Sequence, residues 1–538
     1  MDLQLIAPFD VLNRYRSHHH NLSDTLASRL EKNAHNLFCI DGDKSYTWQE
    51  FAKDVQKTIQ LLQQKGITPH DRVGIMSRNQ YTHVVLLFAL GHLSAILVPI
   101  NPEFSIQEAS YVLAHAELSG LLFDQHSSQV AQTALQEKNL HPWLIALGHE
   151  AINEIPTFKD LCEQILEQAP TVSCASENDT CIIIYTSGTT GFPKGAMHSQ
   201  KSYLLAGEAY VARVHLQPND RVMIVLPMFH INALFYSVSG VIASGCAMII
   251  IPKFSASEFW RQAKKYQATV VNIIEAAGNI LKIRDRSEFV LDHHFRCIYG
   301  VRQNAQQVFK EEFNIPELVS GYGMTEIPGV LSSPFQGLLK PGSMGIEGRH
   351  PSPNQPWAIC RIVDESGQDV PKNTVGELIV QTPIVTQGYF KDPLQTAQSF
   401  RDGWFLTGDL VSQDEDGYYY FVSRKKDIIR RRGENISGAE IDRIVGEHPS
   451  VAEVAAIAVP AELGEDEILV VIVLKPEQII SPKDIGLWCS ARLSAMKIPR
   501  YVVFTSALPY TPTNKISKAL LRANSTLIKQ ATDLQNHC

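Results

Sequence analysis

Apolar and polar positions follow two different periods in the first part of the chain, and each period predicts a different element. Residues 47–62 carry apolar side chains at helical spacing, with Thr47 as the predicted N-cap and Glu50 as its capping-box partner. Residues 73–76 and 181–185 are short, charge-free apolar runs typical of buried strands. Because such strands alternate with helical segments as far as the 290s, we expect layered α/β structure with parallel sheet.

The last part of the chain shows a different order of elements. From residue 428 onward the pattern predicts two helices and two strands: helices over 439–445 and 482–493, and strands over 451–459 and 469–474. This order is typical of a compact α+β unit. A chain of 538 residues also exceeds what one hydrophobic core usually supports. We therefore expect a large N-terminal domain over residues 1–425 and a small, mobile C-terminal domain over 426–538.

Composition and charge exclude several classes of protein. Hydrophobic residues make up 44% of the chain and charged residues 19%, which is ordinary for a globular protein. The net charge is −8 and no long basic run occurs, so we expect no nucleic-acid partner. The apolar runs are too short or too interrupted to span a bilayer, so we expect no stable membrane insertion.

The cysteines and the N-terminus bear on the compartment. The 9 cysteines include no Cys-x-x-Cys pair, so they suggest neither a disulfide framework nor a zinc site, and a reduced cytoplasm fits them. The N-terminus shows no secretory signal. Three consecutive histidines, residues 18–20, could bind a metal adventitiously, but we expect them to be an exposed part of the N-terminal segment.

A segment rich in glycine and hydroxyl side chains directly follows the strand predicted over 181–185. Glycines let successive backbone N–H groups turn toward an anion, hydroxyls add neutral donors, and a lysine supplies a point charge suited to a phosphate. The residues concerned are Thr186, Ser187, Gly188, Thr189, Thr190, Gly191 and Lys194. No Gly-Lys-Ser/Thr opens a helix after them, so this is not a Walker loop. Alone, the segment could also be a hairpin turn.

Taken in order, five segments resemble the acyl-adenylate-forming (AMP-binding) family, which includes acyl-CoA synthetases, luciferases and peptide-synthetase adenylation domains. Residues 186–195 resemble its phosphate loop, and residues 321–326 its adenine and magnesium motif. Residues 404–409 resemble its ribose motif, residues 424–427 its hinge, and residues 509–518 its terminal lysine loop. The resemblance covers nearly the whole chain, with every major motif in sequence.

The resemblance implies an acid-thiol ligase that uses ATP, Mg²⁺ and coenzyme A. A carboxylic acid would attack the α-phosphorus of ATP to give an acyl-adenylate and pyrophosphate, and a thiol would then displace AMP. The phosphate loop would hold the β- and γ-phosphates. The other implied roles are adenine binding by Gly300, Tyr322, Gly323 and Met324, the α-phosphate contact by Thr325, Mg²⁺ ligation by Glu326, ribose binding by Asp409 and Arg424, and catalysis by Lys515.

The prediction of the thiol substrate rests on a basic segment and on the domain composition of the sequence. Residues 430–437 resemble the version in the crotonobetaine/carnitine-CoA ligase-like branch and related fatty acyl-CoA ligases, which implies cofactor contacts by Gly433, Glu434 and Asn435. The three arginines 430–432 could contact coenzyme A phosphates or form a solvated basic face. The sequence carries no appended carrier domain, so we expect coenzyme A as the thiol. An enzyme that loads a separate carrier protein is the alternative.

His230 and Glu275 are the candidate acid-binding residues. By resemblance His230 lies beside the substrate carboxylate, although it could also be a structural histidine at a strand end. Glu275 is either a surface carboxylate, paired with Lys282 or Arg284, or the partner of a cationic group such as a trimethylammonium. The expected acid is thus carnitine-like or of short to medium chain, with a medium- or long-chain fatty acid as the alternative. The sequence leaves a homodimer open.

Overall fold

The computed structural model describes residues 5–166, 172–173, 175–186, 193–431, 434–460, 466–511 and 516–537. Within these ranges the strands are β1 (Leu37–Asp41), β2 (Lys44–Thr47), β3 (Arg72–Met76), β4 (Ile96–Ile100), β5 (Gly120–Asp124), β6 (Trp143–Leu147), β7 (Thr180–Thr186), β8 (Lys194–Ser199), β9 (Arg221–Ile224), β10 (Ala247–Ile250), β11 (Val270–Asn272), β12 (Cys297–Tyr299), β13 (Glu317–Val319), β14 (Gly321–Met324), β15 (Ile327–Ser332), β16 (Ser343–Glu347), β17 (Ile359–Val363), β18 (Gly376–Gln381), β19 (Gly388–Tyr389), β20 (Phe400–Arg401), β21 (Trp404–Gln413), β22 (Tyr419–Arg424), β23 (Ile428–Arg431), β24 (Glu434–Ser437), β25 (Val451–Pro460), β26 (Asp466–Leu474), β27 (Tyr501–Phe504) and β28 (Thr532–Asp533). The helices are α1 (Pro8–Leu12), α2 (Leu22–Asn33), α3 (Trp48–Gln64), α4 (Thr82–His92), α5 (Ile106–Ala116), α6 (Ser128–Glu137), α7 (Phe158–Glu163), α8 (Gln200–Val214), α9 (Ser239–Ser244), α10 (Phe259–Tyr266), α11 (Glu275–Ile283), α12 (Gln303–Glu311), α13 (Pro393–Ser399), α14 (Gly438–Gly446), α15 (Pro482–Ser490), α16 (Lys518–Ala523) and α17 (Thr526–Gln530).

The described residues divide into two compact units. The first unit comprises residues 5–186, 193–359 and 381–405, and the second comprises residues 360–380 and 406–537. The predicted domain boundary between residues 425 and 426 stays a prediction.

Two seven-stranded sheets build the first unit. The first sheet has the order β13-β12-β11-β9-β10-β1-β2, and all neighbouring strands in it are parallel except β1 and β2. The second sheet has the order β19-β8-β7-β4-β3-β5-β6, with antiparallel pairing only on the β7-β8-β19 side. The predicted α/β class with parallel sheet is confirmed.

Local sequence signals explain how the helices of this unit begin and where they pack. Helix α3 starts at the predicted capping box, in which the Glu50 amide donates to Thr47 Oγ1 at 3.2 Å and the Thr47 amide to Glu50 Oε2 at 2.7 Å. Helix α4 is buried around its whole circumference, because its residues 84–90 are all apolar. It is a core helix, and in the described part of the chain no helix has both the length and the apolar character needed to cross a bilayer.

The second unit contains the predicted α+β fold near the C-terminus. Strands β22, β21, β18 and β17 are neighbours in that order, β23 and β24 form a hairpin, and β25 to β28 form a four-stranded sheet. Successive residues of β25 face opposite sides of this sheet. Val454 and Ala456 share a core with residues of α14 and α15, whereas Ala455 and Ile457 share one with residues of α16 and α17.

Candidate active site

Most of the site residues predicted in the first unit lie at one edge of its first sheet. Strands β9, β11, β12 and β13 are parallel neighbours there. His230 follows β9, Glu275 follows β11, Gly300 follows β12, and the segment 321–326 follows β13. Ligands of open α/β sheets bind outside the carboxyl ends of the strands. The topology therefore brings these separate predictions to one edge.

Gly300 is required at this edge by its backbone. Its φ is +97°, and a Cβ atom would lie 2.0 Å from the carbonyl oxygen of Ile273. Its amide donates to the Val319 carbonyl at 2.7 Å. A glycine is needed where the chain leaves β12 because any side chain would collide with the segment that follows β11.

The turn Thr325–Glu326 joins β14 and β15, whose residues Met324 and Ile327 are paired. It is fixed through its backbone from two directions. The Thr325 carbonyl accepts a hydrogen bond from His198 Nε2 at 2.7 Å, and the Glu326 carbonyl accepts one from the Thr386 amide at 2.7 Å. Because these hydrogen bonds use only the backbone carbonyls of Thr325 and Glu326, the side chains of both residues can contact a ligand.

Tyr389 connects the two charged groups of this part of the site. Its hydroxyl donates to Glu326 Oε1 at 2.6 Å, and the Lys194 ammonium lies 5.5 Å from the centre of its ring. Lys194 also hydrogen-bonds Gln395 Oε1. Burial, with the Glu326 carboxylate adding to it, raises the pKa of Tyr389, so the phenol keeps its proton and acts as a donor. The Tyr389 side chain thus lies beside both the Lys194 ammonium and the Glu326 carboxylate.

The strands on either side of the predicted phosphate loop form an antiparallel hairpin. Thr186 at the end of β7 is paired with Lys194 at the start of β8, and the Thr186 hydroxyl donates to the Lys194 carbonyl at 3.4 Å. This pairing is compatible with both a phosphate loop and a simple hairpin turn, so the choice between them stays open. Ser187, Gly188, Thr189, Thr190 and Gly191 lie outside the described residues, and their roles stay predictions.

The two candidate acid-binding residues differ in their surroundings. The His230 amide donates to the Pro227 carbonyl at 3.0 Å, and the residue lies two positions before a π-helix over Asn232–Val238, a feature frequent at functional sites. Glu275 is exposed in the first turn of α11, where the helix dipole favours a carboxylate. Arg284, one of its two proposed partners, instead pairs with Glu288 at 2.8 Å.

In the second unit, the predicted ribose-binding pair forms an ion pair. Asp409 on β21 stands directly opposite Arg424 on β22, and Arg424 Nε lies 2.6 Å from Asp409 Oδ1. The Asp409 side chain is buried, whereas that of Arg424 is 38% exposed. The Asp409 amide donates to Thr407 Oγ1 at 3.0 Å, which fixes the backbone at the carboxylate.

The interpretation of residues 430–432 as one basic surface is wrong for Arg431. Its side chain is 6% exposed, lies 2.8 Å from Glu467 Oε2 and donates to the carbonyls of Met496 and Ile498. A buried side chain with these partners does not form part of a solvated basic face. Arg430 is exposed. Gly433 and Lys515, with the side chains of Glu434 and Asn435, lie outside the described residues, so their roles stay predictions.

Sequence reasoning missed Tyr389 and His198. Tyr389 is 63 residues from Glu326 and His198 is 127 residues from Thr325, so no local spacing connects them. His198 is buried, and burial lowers its pKa from 6.5 to about 4, so the ring is neutral near pH 7. Both residues position the Thr325–Glu326 turn: Tyr389 contacts the Glu326 side chain, and His198 contacts the Thr325 backbone carbonyl.

Comparison with known proteins agrees with this geometry. The family model "AMP-binding enzyme" matches residues 26–390, and the model "AMP-binding enzyme C-terminal domain" matches residues 440–515. The chain belongs to the AMP-binding enzyme family. The predicted family is thereby confirmed, and with it the prediction that the chain is an enzyme.

Individual relatives cover nearly the whole chain. A crotonobetaine/carnitine–CoA ligase of Proteus mirabilis is 29% identical, over 94% of this chain and 99% of the relative. The ATP-bound structure of MatB from Rhodopseudomonas palustris superposes with a TM-score of 0.83 at 24% identity, covering 94% of this chain and 98% of its own. The anthranilate CoA ligase AuaEII, in complex with anthranoyl-AMP, gives a TM-score of 0.82 at 24% identity, covering 95% and 98%. The predicted fold is confirmed.

Proposed function

We propose that the protein is an AMP-forming acyl-CoA ligase that acts in two half-reactions. A carboxylic acid attacks the α-phosphorus of ATP to give an acyl-adenylate and pyrophosphate, and the coenzyme A thiol then displaces AMP. The observation that carries the proposal is the group of Lys194, Tyr389 and Glu326, which supplies an ammonium for phosphate and a carboxylate for a cation around one ring. Membership of the AMP-binding enzyme family supports it.

Glu326 fits the Mg²⁺ that would accompany ATP. Its carboxylate is buried, and Oε1 is occupied by the Tyr389 hydroxyl, while Oε2 makes no hydrogen bond to any other residue that the structure describes. A hard oxygen donor with one free position suits Mg²⁺, which usually takes one or two carboxylates and keeps several waters. When bound, Mg²⁺ neutralises phosphate charge.

The residues of the chain supply positioning and charge. Lys194 would hold the β- and γ-phosphates together with the loop before it, and the Thr325 hydroxyl would donate to the α-phosphate. In the second unit the buried carboxylate of Asp409 would accept the two ribose hydroxyls, with Arg424 holding it in place. Lys515 would compensate negative charge as the α–β bridging bond breaks.

Product analysis tests this proposal and its nearest alternative. The purified chain is incubated with ATP, Mg²⁺ and a panel of carboxylic acids, once with coenzyme A and once with a phosphopantetheinylated carrier protein. We expect an acyl-CoA product, detected by mass spectrometry, with no acyl-carrier product. Acylation of the carrier protein alone would identify an enzyme that loads a carrier, and no thioester with either thiol would refute the ligase.

The acid is proposed to be carnitine-like or of short to medium chain, and Glu275 tests the cationic option. Glu275 is exposed at the carboxyl edge of the sheet and forms no ion pair with the residues that the structure describes, so its charge is available to a trimethylammonium. Glu275→Gln should lower kcat/KM for the cationic acid about tenfold and leave a neutral acid of equal length unchanged.

A matched control separates this effect from a general loss of charge. Glu288→Gln removes a carboxylate that is already paired with Arg284, and it should change neither acid. If Glu275→Gln slowed both acids equally, Glu275 would be a structural carboxylate, and a medium- or long-chain fatty acid would replace the carnitine-like acid in the proposal.

The proposed compartment is the cytoplasm, because no disulfide joins cysteines within the described ranges. A homodimer stays a prediction.

A further inference from the structure

Two of the three consecutive histidines meet a carboxylate from the core of the first unit. His18 Nε2 lies 3.5 Å and His20 Nε2 lies 3.6 Å from Glu208 Oε1. One ligand atom from each of the three residues falls within 4.8 Å of the others. The expectation that residues 18–20 are exposed is wrong for His18 and His20, whose side chains are 10% and 25% exposed, and holds for His19.

A third histidine orients the carboxylate from its other side. His350 accepts the Ser352 amide at Nδ1, which leaves the proton on Nε2, and Nε2–H donates to Glu208 Oε2 at 2.9 Å. Oε2 is therefore occupied, and Oε1 is the oxygen that faces His18 and His20. Metal-binding carboxylates are commonly held in this way by a hydrogen bond to the second oxygen.

The negative charge of the buried Glu208 carboxylate needs a positively charged partner. The Glu208 side chain is only 10% exposed, so its carboxylate is largely removed from solvent. Arg29 is the nearby cation, and its guanidinium is already bound to the carbonyls of Ile242 and Ala243. Buried carboxylates of this kind are paired or coordinate metals.

We propose that His18, His20 and Glu208 bind one divalent transition-metal ion of the zinc class, with water in the fourth position. Two imidazoles and one carboxylate are ligands that Zn²⁺ accepts, and tetrahedral Zn²⁺ places its ligand atoms about 3.4 Å apart. The two distances to Oε1 are close to this value. His18 binds as its Nδ1–H tautomer, so the 3.3 Å hydrogen bond that Nδ1 accepts from the His20 amide is given up.

The ion would fasten the N-terminal segment to the core. His18 and His20 lie between α1 and α2, whereas Glu208 lies on the buried helix α8. The ligands come from chain segments far apart in sequence, and so binding stabilises the folded form relative to the unfolded chain. This site is separate from Glu326, and its role is structural.

The test uses the tag-free full chain, stripped with a chelator and titrated with Zn²⁺ in excess Mg²⁺. Wild type should bind one ion per chain, and Co²⁺ at the same site should show the intense visible bands of a four-coordinate ion. His20→Ala should lose the binding. His19→Ala, which removes the exposed histidine between the two ligands, should retain it.

Further variants keep the proposal open to refutation if a substitution impairs folding. His20→Gln changes the most exposed ligand and should abolish binding with an unchanged circular dichroism spectrum. His350→Gln should weaken Zn²⁺ about 10- to 100-fold, as loss of an orienting hydrogen bond does. No stoichiometric ion in the wild type, or equal loss in His19→Ala and His20→Ala, would overturn the site and leave only adventitious binding to a histidine run.

Discussion

Single residues set the charge of the candidate active site, and Tyr389 is the residue that joins its two charged groups. It donates to Glu326 at 2.6 Å while its ring faces Lys194. Hydrogen bonds to a charged group contribute about 1.5–3 kcal/mol, more than neutral ones do. The hydroxyl therefore fixes which oxygen of Glu326 stays available for a cation.

Tyr389→Phe removes this hydroxyl and keeps the ring beside Lys194. We expect the rate of acyl-adenylate formation to fall roughly tenfold or more, with a raised requirement for Mg²⁺, because Glu326 loses its fixed orientation. Pyrophosphate release at several Mg²⁺ concentrations measures both effects.

Tyr81→Phe is the control, since Tyr81 donates to Asp54 at 3.0 Å in a similar pair outside the candidate site. It should leave adenylation unchanged. Equal slowing by both substitutions would show that Tyr389 acts through general stability.

His198 makes stability depend on pH. Its folded pKa is about 4 and its ordinary value is 6.5, so the unfolded chain binds more protons between these values. The stabilisation is complete above pH 6.5 and is lost as the pH falls toward 4. From pH 7.5 to 5 this residue should account for about 2 kcal/mol of lost unfolding free energy.

Urea unfolding at the two pH values measures that loss. His198→Gln, which keeps a donor for the Thr325 carbonyl but does not titrate, should show a smaller decrease than wild type. His83, buried with a pKa also lowered to about 4, provides the comparison, because His83→Gln should reduce the decrease without affecting the turn. An unchanged decrease in His198→Gln would contradict the assignment.

The conformation of a secondary-structure element depends on neighbours along the chain and on contacts with remote segments. Two glycines near Ile273 illustrate the difference. Gly300→Ala would place a methyl group 2.0 Å from the Ile273 carbonyl at a φ of +97°, and it should cost about 2 kcal/mol or more of unfolding free energy. Gly278→Ala in α11 meets Ile273 at 3.5 Å, an ordinary contact, and should be neutral or stabilise the helix by up to about 1 kcal/mol. Thermal unfolding compares the two, and equal effects would refute the backbone argument.

The same distinction between local and remote contacts explains which features could be predicted from the sequence. Capping at Thr47 and the strand predicted over residues 181–185 depend on neighbours along the chain, and both predictions are confirmed. Tyr389 beside Glu326, and the histidines beside Glu208, depend on contacts between remote segments. The interpretation of Arg431 as part of a basic surface was wrong for the same reason. Its partner Glu467 lies on another strand, so no neighbour in the sequence indicates that Arg431 is buried.

At the scale of the whole molecule, the two half-reactions make different demands on the C-terminal part of the chain. Lys515 is predicted to serve adenylation, whereas residues 433–437 are predicted to serve the thiol. We expect this part to change orientation between the steps, with the backbone change near Lys426. Asp427, the next residue, forms an ion pair with Arg522 at 3.0 Å.

Lys426→Pro would fix φ near −65° and permit at most one orientation. It should impair thioester formation from supplied acyl-adenylate much more than adenylation, whereas Lys515→Ala should do the reverse. Lys425→Ala, which removes a 2.8 Å ion pair with Glu377 but leaves φ free, is the control. If Lys426→Pro and Lys515→Ala each slowed both half-reactions by the same factor, the change of orientation would have to be abandoned.

The position of ATP cleavage tests the central claim most directly. The full chain is incubated with ATP, Mg²⁺ and each acid of the panel, and nucleotide products are separated by chromatography. We expect AMP and pyrophosphate in equal amounts, formed only when a suitable acid is present, because the acid attacks the α-phosphorus. ADP and phosphate as products would mean attack at the γ-phosphorus and would contradict the proposed acyl-adenylate chemistry.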